Sequence, residues 1–189
     1  GTLGSPRQPG ILLRPALRIA GLHWTFVFDR MIRRIPISAI VVCALIHLSY
    51  AAETFSARCV GVHDGDTITV LRDRREVKIR LEGIDSPELG QDFGTRAKQF
   101  TSQLVFGKTV TVALKYFDRH HRAVARVKVK GQDVSTALVA AGLAWDYKRY
   151  SSDPVLAQAQ ELAKAAKKGL WSRRNPTPPW AWRQQKRRR

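Results

Sequence analysis

An α+β domain, a small five-stranded β-barrel with three α-helices packed against it, is predicted by three observations. Short segments in which apolar residues alternate cluster in two groups, three between Phe55 and Leu81 and two between Thr109 and Val129. One stretch with helical spacing separates the groups and two more follow them. The chain of 189 residues is 44% hydrophobic, with seven Phe, five Trp and four Tyr, which is apolar material for one packed core rather than two.

Residues 1–30 are rich in Gly, Pro and Arg, have no period, and read as an upstream extension with no assigned role. Met31-Ile32-Arg33-Arg34 then leads into the apolar run Ile35 to Leu48, followed by Ser49-Tyr50-Ala51-Ala52. A basic start, a short apolar stretch and small residues in A-x-A-like spacing describe a secretory signal peptide over 31–52, cut near Ala51 or Ala52, with Met31 standing where translation would begin. As a helix the run would reach only about 21 Å, short of a hydrocarbon core of roughly 30 Å. The expectation is a secreted or periplasmic protein, monomeric and with no stable membrane association after cleavage; left uncut, the segment would be a membrane anchor.

Phe55 to His63, Thr67 to Leu71 and Glu76 to Leu81 read as three strands, broken at Asp64-Gly65 and at Arg72-Asp73-Arg74-Arg75. Gly94 to Phe106 carries Ala97, Phe100, Leu104 and Val105 at helical spacing, and Gly107 ends it. Thr109 to Tyr116 and Ala123 to Val129 are two further strands. Asp133 opens a helix through Leu138, Val139 and Ala141, stopped by Gly142. In the last helix Asp153 caps, Pro154 fits the first turn, and Gly169 follows Lys167-Lys168. The folded domain is therefore expected over 53–172. Residues 173–189, Pro-, Trp- and Arg-rich and ending Lys186-Arg187-Arg188-Arg189, read as an extended, mobile basic arm. A three-plus-two strand pattern with outer helices suits the oligonucleotide/oligosaccharide-binding (OB) barrel and leaves the spatial strand order open.

Lys and Arg total 33 against 15 Asp and Glu, a net charge of +18. Of these, 27 basic and 14 acidic residues lie beyond residue 52, so about +13 stays with the predicted domain. Such an excess suits a polyanionic partner. Two cysteines, Cys43 and Cys59, exclude a disulfide framework or a clustered zinc site, and Cys59 reads as a small core filler.

Three segments carry chemistry: Val62-His63-Asp64-Gly65-Asp66-Thr67, Ile79-Arg80-Leu81-Glu82-Gly83-Ile84-Asp85-Ser86-Pro87-Glu88, and Asp118-Arg119-His120-His121-Arg122. A hairpin about Arg72 to Arg75 would pair Ile68 with Ile79 and Val70 with Val77 on one apolar face. The same register sets Asp66 beside Leu81, so Asp66 and Asp85 meet at one end of the sheet. It also pairs Arg80 with Thr67, on the face opposite Asp66, so a bulge or a strand ending before Asp66 is required to aim both inward. Two adjoining carboxylates repel unless a cation joins them, and oxygen-only donors favour Ca²⁺ or Mg²⁺ over zinc. With Glu88 and two arginines nearby, the set suits phosphodiester cleavage: a metal to polarise the phosphoryl oxygen, a base for water, guanidinium groups for the transition state.

The order V-x-D-G-D-T, I-R-L-x-G-I-D-S-P-E and D-x-x-x-R resembles the thermonuclease family of staphylococcal-nuclease-like secreted nucleases, as do Ala137 to Ala144 and Gly169-Leu170-Trp171. The resemblance spans about 55–172. It implies an SNase-like OB fold and a Ca²⁺-dependent endonuclease acting on DNA and RNA and leaving 3′-phosphate ends. Under it, Asp66, Asp85 and the Ser86 carbonyl bind Ca²⁺, where the family usually has Thr or Ala at the last position, and Asp64 stands behind them. Glu88 is the general base, and Arg80 and Arg122 clamp the phosphate, Arg122 close to the leaving 5′-oxygen. Tyr150 matches a tyrosine of the nucleotide pocket, whose usual companion is here Lys148, and His120-His121 replace the common Tyr-Gly. The rival expectation is a non-catalytic nucleic-acid-binding module on the same barrel. Such a binder gains nothing from Asp66, Asp85 and Glu88, which repel phosphate.

Overall fold

The computed structural model describes residues 53–188, besides Gly1. The predicted signal peptide and, apart from Gly1, the extension before it lie outside the described residues.

Strands β1 (Thr54–Val62), β2 (Thr67–Arg72) and β3 (Arg75–Leu81) form an antiparallel meander. Asp73 and Arg74 both take left-handed φ, 49° and 64°, the two-residue turn whose twist matches that of the strands it joins. The register is the one the hydrophobic pattern dictates, Ile68 opposite Ile79 and Val70 opposite Val77. A two-residue β4 (Ile84–Asp85) follows, then helix α1 (Gly94–Val105), β5 (Thr109–Phe117) and β6 (Ala123–Val129). β5 pairs with β1 and with β6, and β6 runs parallel to β3, which closes the five long strands into a barrel. A short β7 (Gln132–Asp133) extends the β6 edge.

Helix α2 (Val134–Ala140) starts where Asp133 accepts a hydrogen bond from Thr136 N–H at 2.8 Å. After β8 (Trp145–Asp146), which pairs with β4, Asp153 caps α3 (Pro154–Ala165) through Val155 N–H at 2.9 Å. The core joins the barrel interior (Ile68, Val70, Ile79, Leu81, Val112, Val127) to the inner faces of these helices (Ala97, Val105, Leu138, Leu156), all buried. Cys59 is buried among them as a free thiol.

The fold is thus the expected barrel, with one correction. The segment expected to be an extended arm forms a fourth helix among the described residues, α4 (Pro179–Arg187), after a 3₁₀ turn at Gly169–Ser172. Its ring fits Pro179 to the first helical turn, Ala181, Arg183, Gln184 and Gln185 are good helix formers, and Lys186 and Arg187 complement the negative end of the helix. Trp180 anchors it by stacking on Tyr147, ring centroids 5.0 Å apart and planes 5° from parallel, and meets Trp145 edge-on at 5.6 Å. No helix among the described residues is long and apolar enough to cross a membrane.

Candidate active site

The loop between β1 and β2 is shaped by a close approach. A Cβ at Gly65 would stand 2.0 Å from Ser86 Oγ and 2.7 Å from Ala97 Cβ, so only glycine passes between the 85–88 segment and α1. Thr101, buried on α1, donates to the Gly65 carbonyl at 2.6 Å. Asp64 and Asp66 therefore bend around a fixed point, and Asp66 N–H is held by Asp64 Oδ1 at 3.0 Å. β2 begins only at Thr67, which is how Asp66 escapes the strand alternation that would have turned it away from Arg80.

Asp66 and Asp85 converge on that arginine. Arg80 Nη1 lies 2.6 Å from Asp66 Oδ2, a charge contact without hydrogen-bond alignment, and Arg80 Nη2 donates to Asp85 Oδ1 at 2.8 Å. Ser86 N–H donates to Asp66 Oδ2 at 2.6 Å, tying the two acidic segments together. Asp66 is 5% exposed and Asp85 1%. Burial, opposed by Arg80 and reinforced by the charges of Asp64 and Asp85, pushes the Asp66 carboxyl up to about 7. Arg80 is held above its ordinary value: burial works against its charge, and Asp66, Asp85 and Asp64 outweigh that.

Glu88 lies on the loop leading to α1. Its backbone is pinned by Gly94, where a Cβ would strike the Glu88 carbonyl at 2.0 Å, and its N–H donates to Gln91 Oε1 at 3.3 Å. Arg122 sits across the cavity on the β5–β6 loop. Asp118 organises that loop, accepting from His120 N–H, Arg122 N–H and Arg122 Nε at 2.8, 3.0 and 2.8 Å. His121 takes φ +56°, the left-handed conformation in which glycine is the easiest occupant. Burial would raise Asp118, but the hydrogen bonds from Arg122 and His120 hold it below the usual carboxylate range.

A cavity of about 880 Å³ is lined by Asp64, Asp66, Arg80, Asp85, Ser86, Glu88, Arg122 and Tyr150, which places all the expected site residues but one around a single space. The exception is Lys148, which is exposed and does not line it. Tyr147 does, edge-on to Tyr150 at 5.0 Å, so the aromatic companion stands three residues before Tyr150 rather than two. Tyr116, Phe117, Arg183 and Arg187, none of them an expected site residue, also line the cavity. The aromatic residues at the end of β5 were visible in TVALKYF as surplus to the core pattern; nothing local marked Arg183.

The donor set suits a hard cation. Asp66 and Asp85 supply carboxylate oxygens at a centre where three acids face the single strand-borne guanidinium of Arg80, and Ser86 Oγ is buried beside them without a hydrogen-bond partner. Among the described residues no group of three or more His, Cys, Asp or Glu side chains stands close enough to hold an ion alone, so a cation here would draw on the carboxylate pair and neighbouring oxygens.

Residues 78–173, which carry Arg80, Asp85, Glu88 and Arg122, match the family described as "Staphylococcal nuclease homologue". The chain belongs to that family. It is 44% identical over 147 residues, 77% of its length, to an "Uncharacterized endonuclease" of Escherichia coli O157:H7, covering 90% of that protein. It is 39% identical over 154 residues, 81% of its length, to an "Uncharacterized endonuclease" of Haemophilus influenzae, covering 86% of it. To a "Micrococcal nuclease" of Shigella flexneri it is 39% identical over 141 residues, 68% of its length and 80% of that protein. In this staphylococcal nuclease homologue the family match ends at residue 173, so α4 lies beyond it.

Proposed function

We propose that this family member is an exported, calcium-dependent endonuclease that hydrolyses DNA and RNA to products with 3′-phosphate ends. That it is a nuclease hydrolase rests on its family and relatives. The observation that carries the finer reading is the convergence of Asp66 and Asp85 on Arg80 in a cavity shared with Glu88 and Arg122.

Asp66, Asp85 and the Ser86 carbonyl would hold calcium, with Asp64 behind them, and the ion when bound supplies a fixed positive charge for a phosphoryl oxygen. Glu88 accepts one proton from the attacking water, whose oxygen bonds to phosphorus. Arg80 and Arg122 balance the extra negative charge on the phosphoryl oxygens. The bond from phosphorus to the 5′-oxygen breaks, that oxygen takes a proton from solvent beside Arg122, and the phosphate stays on the 3′ side. Asp118 keeps the Arg122 guanidinium oriented before substrate arrives. Tyr150 offers a base a stacking face at the cavity rim, and Lys148 a charge to the backbone farther out.

Plasmid nicking in calcium, magnesium and chelator tests the reading, with 3′ ends checked for extension by a polymerase before and after phosphatase. Cleavage in calcium alone with extension only after phosphatase is expected; cleavage in chelator, or directly extendable ends, overturns it. Glu88→Gln should lower the rate by about 10²–10⁴-fold with DNA binding retained, since that is what a general base contributes. Export rests on the sequence of residues 31–52. Sequencing the amino terminus of protein recovered from periplasm or medium should begin near Ala52, whereas recovery only with membranes means the anchor. A monomeric mass is expected for the exported form.

A further inference from the structure

Asp85 is gripped from two sides. Arg80 reaches its Oδ1 from the barrel, and Arg183, from α4, donates to Oδ2 at 2.7 Å and to Oδ1 at 3.3 Å. The same Arg183 Nη1 donates to Glu88 Oε1 at 2.6 Å. One tail residue thus engages both oxygens of Asp85 and one of Glu88, two carboxylates to which the calcium-dependent reading gives separate tasks.

The grip is part of a docked face rather than a stray contact. Trp180, Arg183 and Arg187 are spaced three and four apart, so they share one side of α4. Trp180 stacks on Tyr147, Arg183 enters the acidic centre, and Arg187 lines the cavity. Upstream, Gln91 Nε2 donates to the Thr177 carbonyl at 2.6 Å, fastening the approach to α4 onto the Glu88 loop. Burial works against the charge of Arg183, but its hydrogen bonds to Asp85 and Glu88 outweigh that and keep the guanidinium firmly protonated.

We infer that α4 is a built-in competitor for the active site: Arg183 takes the position of a cation on Asp85 and blocks the proton-accepting oxygen of Glu88. This rests on the calcium-dependent reading above. Asp85 can serve a metal, and Glu88 a water molecule, only once α4 lifts. The face that docks is cationic, and Lys186 and Arg188 add charge beside it, so substrate phosphates offer Arg183 and Arg187 an alternative set of oxygens. Cation and polyanion therefore act in the same direction, one displacing Arg183 from the carboxylates and the other receiving it.

Calcium titration of the full chain by calorimetry, with tryptophan emission followed in parallel, tests the competition in wild type, Arg183→Gln, Trp180→Ala and the charge control Arg188→Gln. Arg183→Gln should bind calcium about tenfold more tightly, the scale of losing a partly exposed bidentate competitor. Trp180→Ala should shift affinity the same way by less and lose the calcium-induced emission change, while Arg188→Gln stays within twofold of wild type. Nicking at sub-saturating calcium should rise in Arg183→Gln. Equal or weaker calcium binding by Arg183→Gln, with nicking still metal-dependent, overturns the competition and leaves the nuclease reading intact. No calcium binding by any variant, with nicking that ignores chelator, overturns both.

Discussion

Three of the arginines that line the cavity, Arg80, Arg122 and Arg183, differ in what holds them. Arg80 stands on a barrel strand, paired through the β2–β3 ladder, its side chain 15% exposed between two buried carboxylates. Arg122 belongs to a surface loop and carries its own carboxylate, Asp118. Arg183 comes from a helix beyond the barrel, is 36% exposed, and borrows Asp85 and Glu88 from the site itself. Equivalent chemistry at the tip thus rests on anchorage that weakens from strand to loop to appended helix. A fixed charge belongs to the architecture; a borrowed one is removable.

The strongest contrast comes from Arg80→Gln. It leaves Asp66 and Asp85 buried together without their strand-borne counter-charge, and should lower unfolding stability by about 3 kcal/mol in denaturant titration, because breaking a buried charge network strands its partners. A loss under 1 kcal/mol would erase the distinction between Arg80 and the other two.

The loop gives an intermediate case with a pH signature. Asp118 titrates below its ordinary 3.8 when folded, so the unfolded chain binds its proton first. Its contribution is present above about pH 4 and fades as pH falls through the folded value. Asp118→Asn should cost about 1 kcal/mol at neutral pH and flatten the acid limb of the stability curve. An unchanged limb would mean that the loop does not depend on its carboxylate.

Arg183→Gln is the smallest expected effect on folding, under about 1 kcal/mol, because an ion pair this exposed is screened and its helix adds little to the barrel core. A loss comparable with that of Arg80→Gln would make α4 an integral part of the fold.

Legibility in the sequence follows the same gradient. The β2–β3 register was readable because Ile68, Val70, Val77 and Ile79 alternate strictly, and one-residue slippage would expose them all. The conflict over Arg80 and Asp66 arose from extending that alternation one residue too far, and the tight passage of Gly65 ends the strand instead. β4 and β8, two residues each, are too short to carry any period. Lys148 was placed by an offset from Tyr150, whereas Tyr147 turns inward because Trp180 stacks on it. α4 was hidden by composition: prolines and arginines suggest a coil, and the contacts that stabilise it lie up to 98 residues away.

Helix α1 contributes no side chain to the chemistry, yet Ala97 and Thr101 wedge the turn that carries Asp64 and Asp66 against Ser86. The gap between the acids is therefore gauged from behind, by packing a methyl group and a hydroxyl on a remote surface. Enlarging either would retune the spacing of the acids, and under the calcium-dependent reading the size of ion they would embrace, without altering either carboxylate.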